Sequence, residues 1–91
     1  MYNVLNDNER AQRFEWDEDG AVSFANYKQD EGVRTITHVE TPLSARGKGA
    51  AARLMAAIVE DARARNYKII GRCSYAVAYL QRNRDTADVQ A

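Results

Sequence analysis

Residues Arg46–Ala51 read Arg-Gly-Lys-Gly-Ala-Ala, and this stretch indicates more about the fold than any other. It follows a run rich in β-branched residues, Thr35–Val39, and precedes an Ala-rich helical pattern. The first N–H groups of a helix have no internal partner, and the helix dipole favours negative charge there. Glycines let the backbone approach an anion closely, while Arg46 and Lys48 add positive charge. The order of strand, glycine loop and helix therefore predicts a phosphate-binding loop.

The residues before the loop predict three strands. Phe14 and Trp16 alternate with polar neighbours, which is typical of a first strand. Asp19-Gly20 is a hairpin turn signal, and a second strand is expected over 21–28. A third strand is expected over 33–40. Because short turns join consecutive strands, the three are expected to form an antiparallel meander.

The residues after the loop predict a helix, a strand and a second helix. The first helix is expected over about 48–65, with a buried stripe at helical spacing: Ala51, Leu54, Met55, Ile58, Val59 and Ala62. Asn66 is expected to end it in the left-handed conformation. A fourth strand over 67–71 should run parallel to the third, through a right-handed crossover. Ser74 is predicted to cap a final helix that runs to about Arg82. The sequence therefore predicts an α+β fold.

A chain of 91 residues is expected to form a single domain, residues 1–91. Residues 1–9 are predicted to be a loose leader or a short edge element, and residues 85–91 a frayed, flexible tail. The polar, acidic N-terminus is not expected to be a secretory signal. A single cysteine cannot form an internal disulfide, which favours a reducing, cytoplasmic location. One Cys and one His fall short of four zinc ligands, so no metal is expected.

The net charge is zero, but the charge is unevenly distributed. Residues 1–42 contain 4 Lys and Arg against 9 Asp and Glu, whereas residues 43–91 contain 9 against 4. A basic half around an anion loop suits a polyphosphate ligand. A nucleic-acid binder would need a dense basic stripe, and a membrane span needs about 20 apolar residues; the sequence has neither. No nucleic-acid or membrane partner is therefore expected.

The loop carries a family resemblance. Arg46-x-x-Gly49-x-Ala51 resembles the Arg/Gln-x-x-Gly-x-Gly/Ala pyrophosphate loop of the GNAT superfamily of acetyl-CoA-dependent N-acetyltransferases. Four other segments resemble very small GNAT-like proteins, in the same order: Arg13-Phe14-Glu15, Asp19-Gly20, His38-Val39-Glu40-Thr41-Pro42 and Cys73-Ser74-Tyr75. Gly71 stands where those proteins usually have proline. The resemblance covers about residues 10 to 84.

This resemblance implies a minimal GNAT-like fold that lacks the early acceptor-binding helices. It implies that the third and fourth strands splay apart and that acetyl-CoA enters the gap. Its implied cofactor-binding residues are Thr37, His38 and Val39, whose backbone would pair with pantetheine, and the loop residues Arg46, Gly47, Lys48, Gly49, Ala50 and Ala51.

Four side chains are candidates for catalysis. Members of the superfamily often protonate the leaving thiolate with a tyrosine on the last helix, and Tyr79 best matches that position, one turn after Tyr75. The alternative for Tyr79 is a core aromatic. His38 is a candidate base for the amine or else a structural histidine, and Glu40 is a weaker candidate. Cys73 is a candidate nucleophile, a residue that lines the site, or a small buried hydrophobe.

The resulting hypothesis is an acetyl-CoA-dependent N-acetyltransferase that works by direct transfer in a ternary complex. The alternatives are a coenzyme A or acyl-CoA binding module without turnover, and a generic nucleotide- or phosphate-binding interaction domain. The loop is not a P-loop, since no Gly-Lys-Ser/Thr run follows the glycines. A polyamine, an amino acid, a protein lysine and a drug all remain open as acceptors. The missing acceptor helices also allow a homodimer to complete the site.

Overall fold

The computed structural model describes residues 4–91, which form one five-stranded sheet, two α-helices and two 3₁₀ helices. The strands are β1 Leu5–Asn8, β2 Arg13–Glu18, β3 Ala21–Asp30, β4 Val33–Glu40 and β5 Lys68–Gly71. The helices are α1 Ala50–Arg65 and α2 Ser74–Arg82, with 3₁₀ helices at Leu43–Ala45 and Arg84–Val89. Strand order follows chain order, and only β4 and β5 are parallel. The predicted α+β fold is confirmed, with β1 as an additional edge strand.

The hairpin between β2 and β3 turns at the predicted Asp-Gly signal. Asp19 and Gly20 both have positive φ, 54° and 89°, as the tight turns that match strand twist require. The Asp17 carboxylate accepts a hydrogen bond of 2.7 Å from the Gly20 N–H. Residues of the turn itself therefore stabilise it.

Helix α1 packs its apolar side against one face of the sheet. The largest fully buried side chains are Phe14, Ile36, Leu54, Met55, Ile58, Ile69 and Ser23. The predicted stripe of α1 is confirmed, except that Ala50 is buried where Ala51 is only half-buried. Asn66 ends α1 with φ of 60° and ψ of 51°, the left-handed conformation that was predicted. None of the helices in residues 4–91 is both long and apolar enough to cross a membrane.

A buried arginine fastens β1 to the core. The guanidinium carbon of Arg34 lies 4.4 to 5.3 Å from the centroids of three aromatic rings, those of Phe14, Tyr27 and Tyr67. Asp7 on β1 accepts hydrogen bonds from Arg34, Arg65 and the Tyr27 hydroxyl. Burial alone would raise the pKa of Asp7, but these hydrogen bonds hold it below its usual range.

These contacts correct part of the prediction for the N-terminus. Leu5–Asn8 pairs along its length with β2, so a flexible leader is wrong for these residues and the short edge element is confirmed. Residues 1–3 of the predicted flexible segment lie outside the described residues.

The register between β3 and β4 skips one residue. Asn26 pairs with His38, and Tyr27 pairs with Ile36, which leaves Thr37 without a partner as a β-bulge. On the other side of β4, β5 pairs only with Val33–Ile36. Within residues 4–91 no strand pairs with that side of β4 beyond Ile36, so the two parallel strands separate at the bulge.

The C-terminal residues correct a second prediction. Residues 85–91 were expected to fray, but Arg84–Val89 form a 3₁₀ helix that buries Thr86 and Val89. Gln90 forms a parallel bridge with Ile69, and the Ala91 N–H donates to the Ile69 carbonyl at 3.1 Å. The sequence pattern missed this segment because two buried residues three apart, one of them the polar Thr86, are too few to establish a helical repeat.

If the tail is part of the core, Val89→Ala should lower the free energy of unfolding by about 2 kcal/mol, because it removes buried methyl groups. Val89 is 3 % exposed and Val4 is 67 % exposed, so Val4→Ala is a matched control that should change stability by less than about 0.5 kcal/mol. Urea unfolding of both variants measures the difference. Equally small changes in the free energy of unfolding for both variants would show that the tail is frayed, as the sequence predicted.

Candidate functional site

The glycine loop leads directly into α1. Gly47 and Gly49 have φ of 76° and 83°, values that favour glycine, and Gly49 is the residue that precedes the helix. The helix begins at Ala50, two residues later than predicted, because Gly49 is left-handed. The Arg46 side chain donates from Nε to the Thr41 carbonyl at 3.2 Å, which braces the loop. The helix therefore opens on a short, exposed loop whose backbone N–H groups are available to an anion.

A depression of about 260 Å³ lies at this loop. Its lining residues come from the loop, the first turn of α1 and the start of α2: Thr41, Ala45, Arg46, Gly47, Gly49, Ala50, Ala51, Ala52 and Tyr75. Most of the predicted loop residues thus share one surface. Lys48 is exposed and does not line it.

Thr41, which follows β4, and Tyr75, in the first turn of α2, both line this depression, so the gap between β4 and β5 opens beside it. The N–H groups of Arg72 and Cys73 both donate to the Ile36 carbonyl, at 2.9 and 3.4 Å. After this point the chain turns into α2, so β5 does not follow β4 further. The predicted segment Thr37–Val39 lies along the edge that is left open. An extended ligand could add its own polar groups to this edge as a strand would.

The bulge changes the face on which His38 lies. Regular alternation along β4 would place His38 and Ile36 on one face, but the extra residue Thr37 puts them on opposite faces. Val39 pairs with Ala25 and packs against the core, whereas His38 turns to the opposite face. There its ring lies 6.0 Å from the ring of Phe24.

His38 is half-exposed and has a carboxylate partner. Its Nε2 lies 3.0 Å from Oε1 of Glu40, and about half of each side chain is exposed. A carboxylate that contacts one ring nitrogen can hold the imidazole in place for proton transfer. The structure thus brings together the two base candidates, His38 and Glu40.

Helix α2 packs very closely against the end of β5. A Cβ added to Gly71 would lie 2.9 Å from the Val77 backbone nitrogen and 3.0 Å from the Ala76 carbonyl carbon. Only glycine allows this approach. The first turn of α2 is therefore held at the mouth of the gap.

The capping residue of α2 is Cys73, which corrects the prediction of Ser74. The Cys73 Sγ accepts a hydrogen bond of 3.4 Å from the Ala76 N–H, whereas Ser74 is the first helical residue. The thiol is partly buried and packs against the core. The candidate cysteine is thus fixed at the start of α2 and at the end of the open gap.

The two tyrosines of α2 have different surroundings. Tyr75 is 39 % exposed and lines the loop depression, while Tyr79 packs against the core. Burial raises the pKa of both, and Asp85 and Tyr75 raise that of Tyr79 further. Both phenols therefore remain protonated at neutral pH, as a general acid must. Sequence reasoning favoured Tyr79 and gave Tyr75 no role, although the helical spacing already placed both on one face.

Sequence reasoning also missed a charged pair beside the loop. Arg53 of α1 donates from Nε and Nη2 to the Glu18 carboxylate, at 2.6 and 2.8 Å. The two residues are 35 positions apart, and the helical pattern shows only that Arg53 falls outside the buried stripe of α1. No signal in one sequence could have joined them.

Comparison with known proteins agrees with this geometry. A family model described as GCN5-related N-acetyltransferase matches residues 13–89. The chain belongs to the GCN5-related N-acetyltransferase family. Comparison with curated protein sequences gave no match.

Two solved structures are similar to this family member. The NMR solution structure of a GCN5-like protein from Staphylococcus aureus has a TM-score of 0.68 and 31% identity, and the alignment covers 100% of this chain and 91% of that one. The crystal structure of a predicted acetyltransferase from Clostridium acetobutylicum with acetyl-CoA has a TM-score of 0.54 and 20% identity. That alignment covers 85% of this chain and 60% of the other, and it shows the fold alone.

If the loop binds a phosphate of coenzyme A, Gly49→Val should weaken coenzyme A binding by at least tenfold. A branched side chain at that position would stand in the anion approach and strain a positive φ. Gly32→Val is the matched control, because Gly32 has a similar φ of 80° but open space around it. Isothermal titration calorimetry of both variants, with urea unfolding to correct for stability, measures the effect. An equal loss of binding in both variants would count against the loop.

Proposed function

We propose that the protein is an acetyl-CoA-dependent N-acetyltransferase that acts on a primary amine. The observation that carries the proposal is the glycine loop at the head of α1, placed beside the open edge of β4. A polyphosphate with an extended arm needs both features side by side. Membership of the family supports the chemistry, and the similar fold of the Clostridium acetobutylicum protein, solved with acetyl-CoA, supports the cofactor.

The cofactor-binding roles follow from these elements. The backbone N–H groups of residues 47–51 would hold the pyrophosphate at the positive end of α1, with Arg46 and Lys48 adding charge. The backbone of Thr37–Val39 would pair with pantetheine. The left-handed glycines fit this role, since side chains there would cover the loop.

The reaction needs two proton movements. The amine must lose a proton to attack the thioester carbonyl, and the sulfur must gain one as its bond to carbon breaks. His38 with Glu40 is proposed to receive the first proton, through water where direct contact is absent. Tyr79 is proposed to supply the second.

A coenzyme A binding module without turnover is the second candidate. It is favoured by the size of the loop depression, about 260 Å³, which is small for a pocket that holds both a cofactor end and an acceptor. Two other cavities, of about 360 and 530 Å³, lie beside Asn66, at the C-terminal end of α1. They therefore provide no acceptor site next to the loop.

Steady-state release of free thiol from acetyl-CoA separates the two candidates. Purified protein is assayed with a polyamine, single amino acids and a lysine peptide as acceptors. The enzyme proposal expects amine-dependent release that exceeds the release without amine. Tight coenzyme A binding with no amine-dependent release from any acceptor would favour the binding module.

Substitution of Tyr79 and of Tyr75 should affect different quantities, kcat in the first case and acetyl-CoA binding in the second. We expect Tyr79→Phe to lower kcat by on the order of 10²-fold with little change in acetyl-CoA binding, since a general acid acts in the transition state. Tyr75→Phe should instead weaken binding with a smaller effect on kcat, because Tyr75 lines the loop depression. Steady-state kinetics and calorimetry on both variants test this. An unchanged kcat in Tyr79→Phe would assign that residue to the core.

Cys73 is proposed to line the site without becoming acetylated. The thiol packs against the core, and in residues 4–91 its side-chain hydrogen bond is the one from the Ala76 N–H, so no general base contacts it. Incubation with acetyl-CoA alone, followed by intact-mass measurement, should show no stable acetyl addition. An added acetyl group that disappears in Cys73→Ala, and on addition of amine, would establish a covalent route instead.

A further inference from the structure

Arg53 is held rigidly beside the glycine loop. Its Nε and Nη2 form a two-point contact with Glu18 at the end of β2. The Trp16 indole donates to the same carboxylate at 2.7 Å. The hydrogen bond from Arg53 lowers the pKa of Glu18 most, and the one from Trp16 lowers it further, to about 2. The carboxylate therefore stays charged at neutral pH.

The remaining nitrogen of Arg53 points at the loop. A Cβ added to Gly49 would lie 2.9 Å from Nη1, which places this nitrogen against the residue that precedes α1. In the part of the chain from residue 4 to 91, the side-chain hydrogen bonds of Arg53 all go to Glu18 through Nε and Nη2. Nη1 therefore keeps its N–H donors for a group outside the chain.

The charges near the loop favour an anion. Arg46, Lys48 and Arg53 lie on or beside the loop, and Glu18 is the carboxylate that contacts one of them. A surplus of positive charge therefore remains, in addition to the positive end of the α1 dipole. A guanidinium with two nitrogens fixed loses little freedom when its third binds a phosphate oxygen.

We propose that Arg53 is a further phosphate-binding residue for coenzyme A, with Nη1 donating to a phosphate oxygen while Glu18 continues to hold Nε and Nη2. Glu18 is then a positioning residue. The inference rests on the proposed function, because it assumes that coenzyme A binds at the glycine loop. Coenzyme A carries both a pyrophosphate and a 3′-phosphate, and the chemistry at Nη1 suits either.

Calorimetric titration with coenzyme A and with 3′-dephospho-coenzyme A tests the proposal. Arg53→Gln should weaken coenzyme A binding by about tenfold, in line with the loss of one charged hydrogen bond. Loss with both ligands would place the pyrophosphate at Nη1, and loss with coenzyme A alone would place the 3′-phosphate there. Unchanged affinity for both ligands in a folded Arg53→Gln protein would overturn the proposal.

Arg10→Gln is the matched control for charge. Arg10 is exposed and lies in the turn between β1 and β2, at the far end of β2 from Glu18. The Arg10→Gln substitution removes the same charge as Arg53→Gln and should leave the affinity for coenzyme A unchanged. An equal loss of coenzyme A affinity in both variants would show that only net charge matters, which contradicts a specific contact of Arg53.

Glu18→Gln tests the positioning role. It should weaken coenzyme A binding by less than Arg53→Gln does, because Arg53 keeps its charge but loses its fixed orientation. Tighter binding in Glu18→Gln would show that Glu18 competes with the phosphate, which contradicts the proposal. If the unmodified protein binds neither ligand, the proposed function itself fails, and the Arg53 variants are not needed to show it.

Discussion

The separation of β4 from β5 is the constraint on which the rest of the site depends. Two local features cause it. Thr37 is an extra residue in β4, which bends the strand, and Gly71 ends β5 where α2 packs directly on its backbone. The Ile36 carbonyl accepts the last two hydrogen bonds that cross from the β5 side to β4, from the N–H groups of Arg72 and Cys73. The open edge, the position of Cys73 and the orientation of His38 all follow from this point.

Contacts elsewhere in the sheet offset the free-energy cost of this separation. An open sheet edge costs stability in a small domain, because fewer backbone groups are paired. Contacts stabilise both edge strands of the sheet. At β1, Asp7 accepts hydrogen bonds from Tyr27 and Arg34. At β5, Gln90 and Ala91 pair with Ile69. The ends that the sequence pattern assigned to flexible segments thus complete the frame around the site.

Much of the fold could be predicted from the sequence, because its signals are local. The Asp19-Gly20 turn, the Val33–Glu40 strand and the left-handed Asn66 depend on neighbouring residues. The glycine loop was predictable for the same reason. The bulge at Thr37, the Cys73 cap and the contact of Glu18 with Arg53 were not, since each depends on how distant segments meet. The face on which His38 lies was not predictable either, because regular alternation does not allow for the extra residue at Thr37.

An NMR titration of the labelled protein with acetyl-CoA tests whether the glycine loop and the open edge of β4 form one cofactor site. We expect the amide shifts to concentrate at Gly47–Ala51, along Thr37–Val39 and at the start of α2, which together surround the gap. Shifts confined to the cavities beside Asn66, or to the hairpin of β2 and β3 away from Glu18, would contradict it.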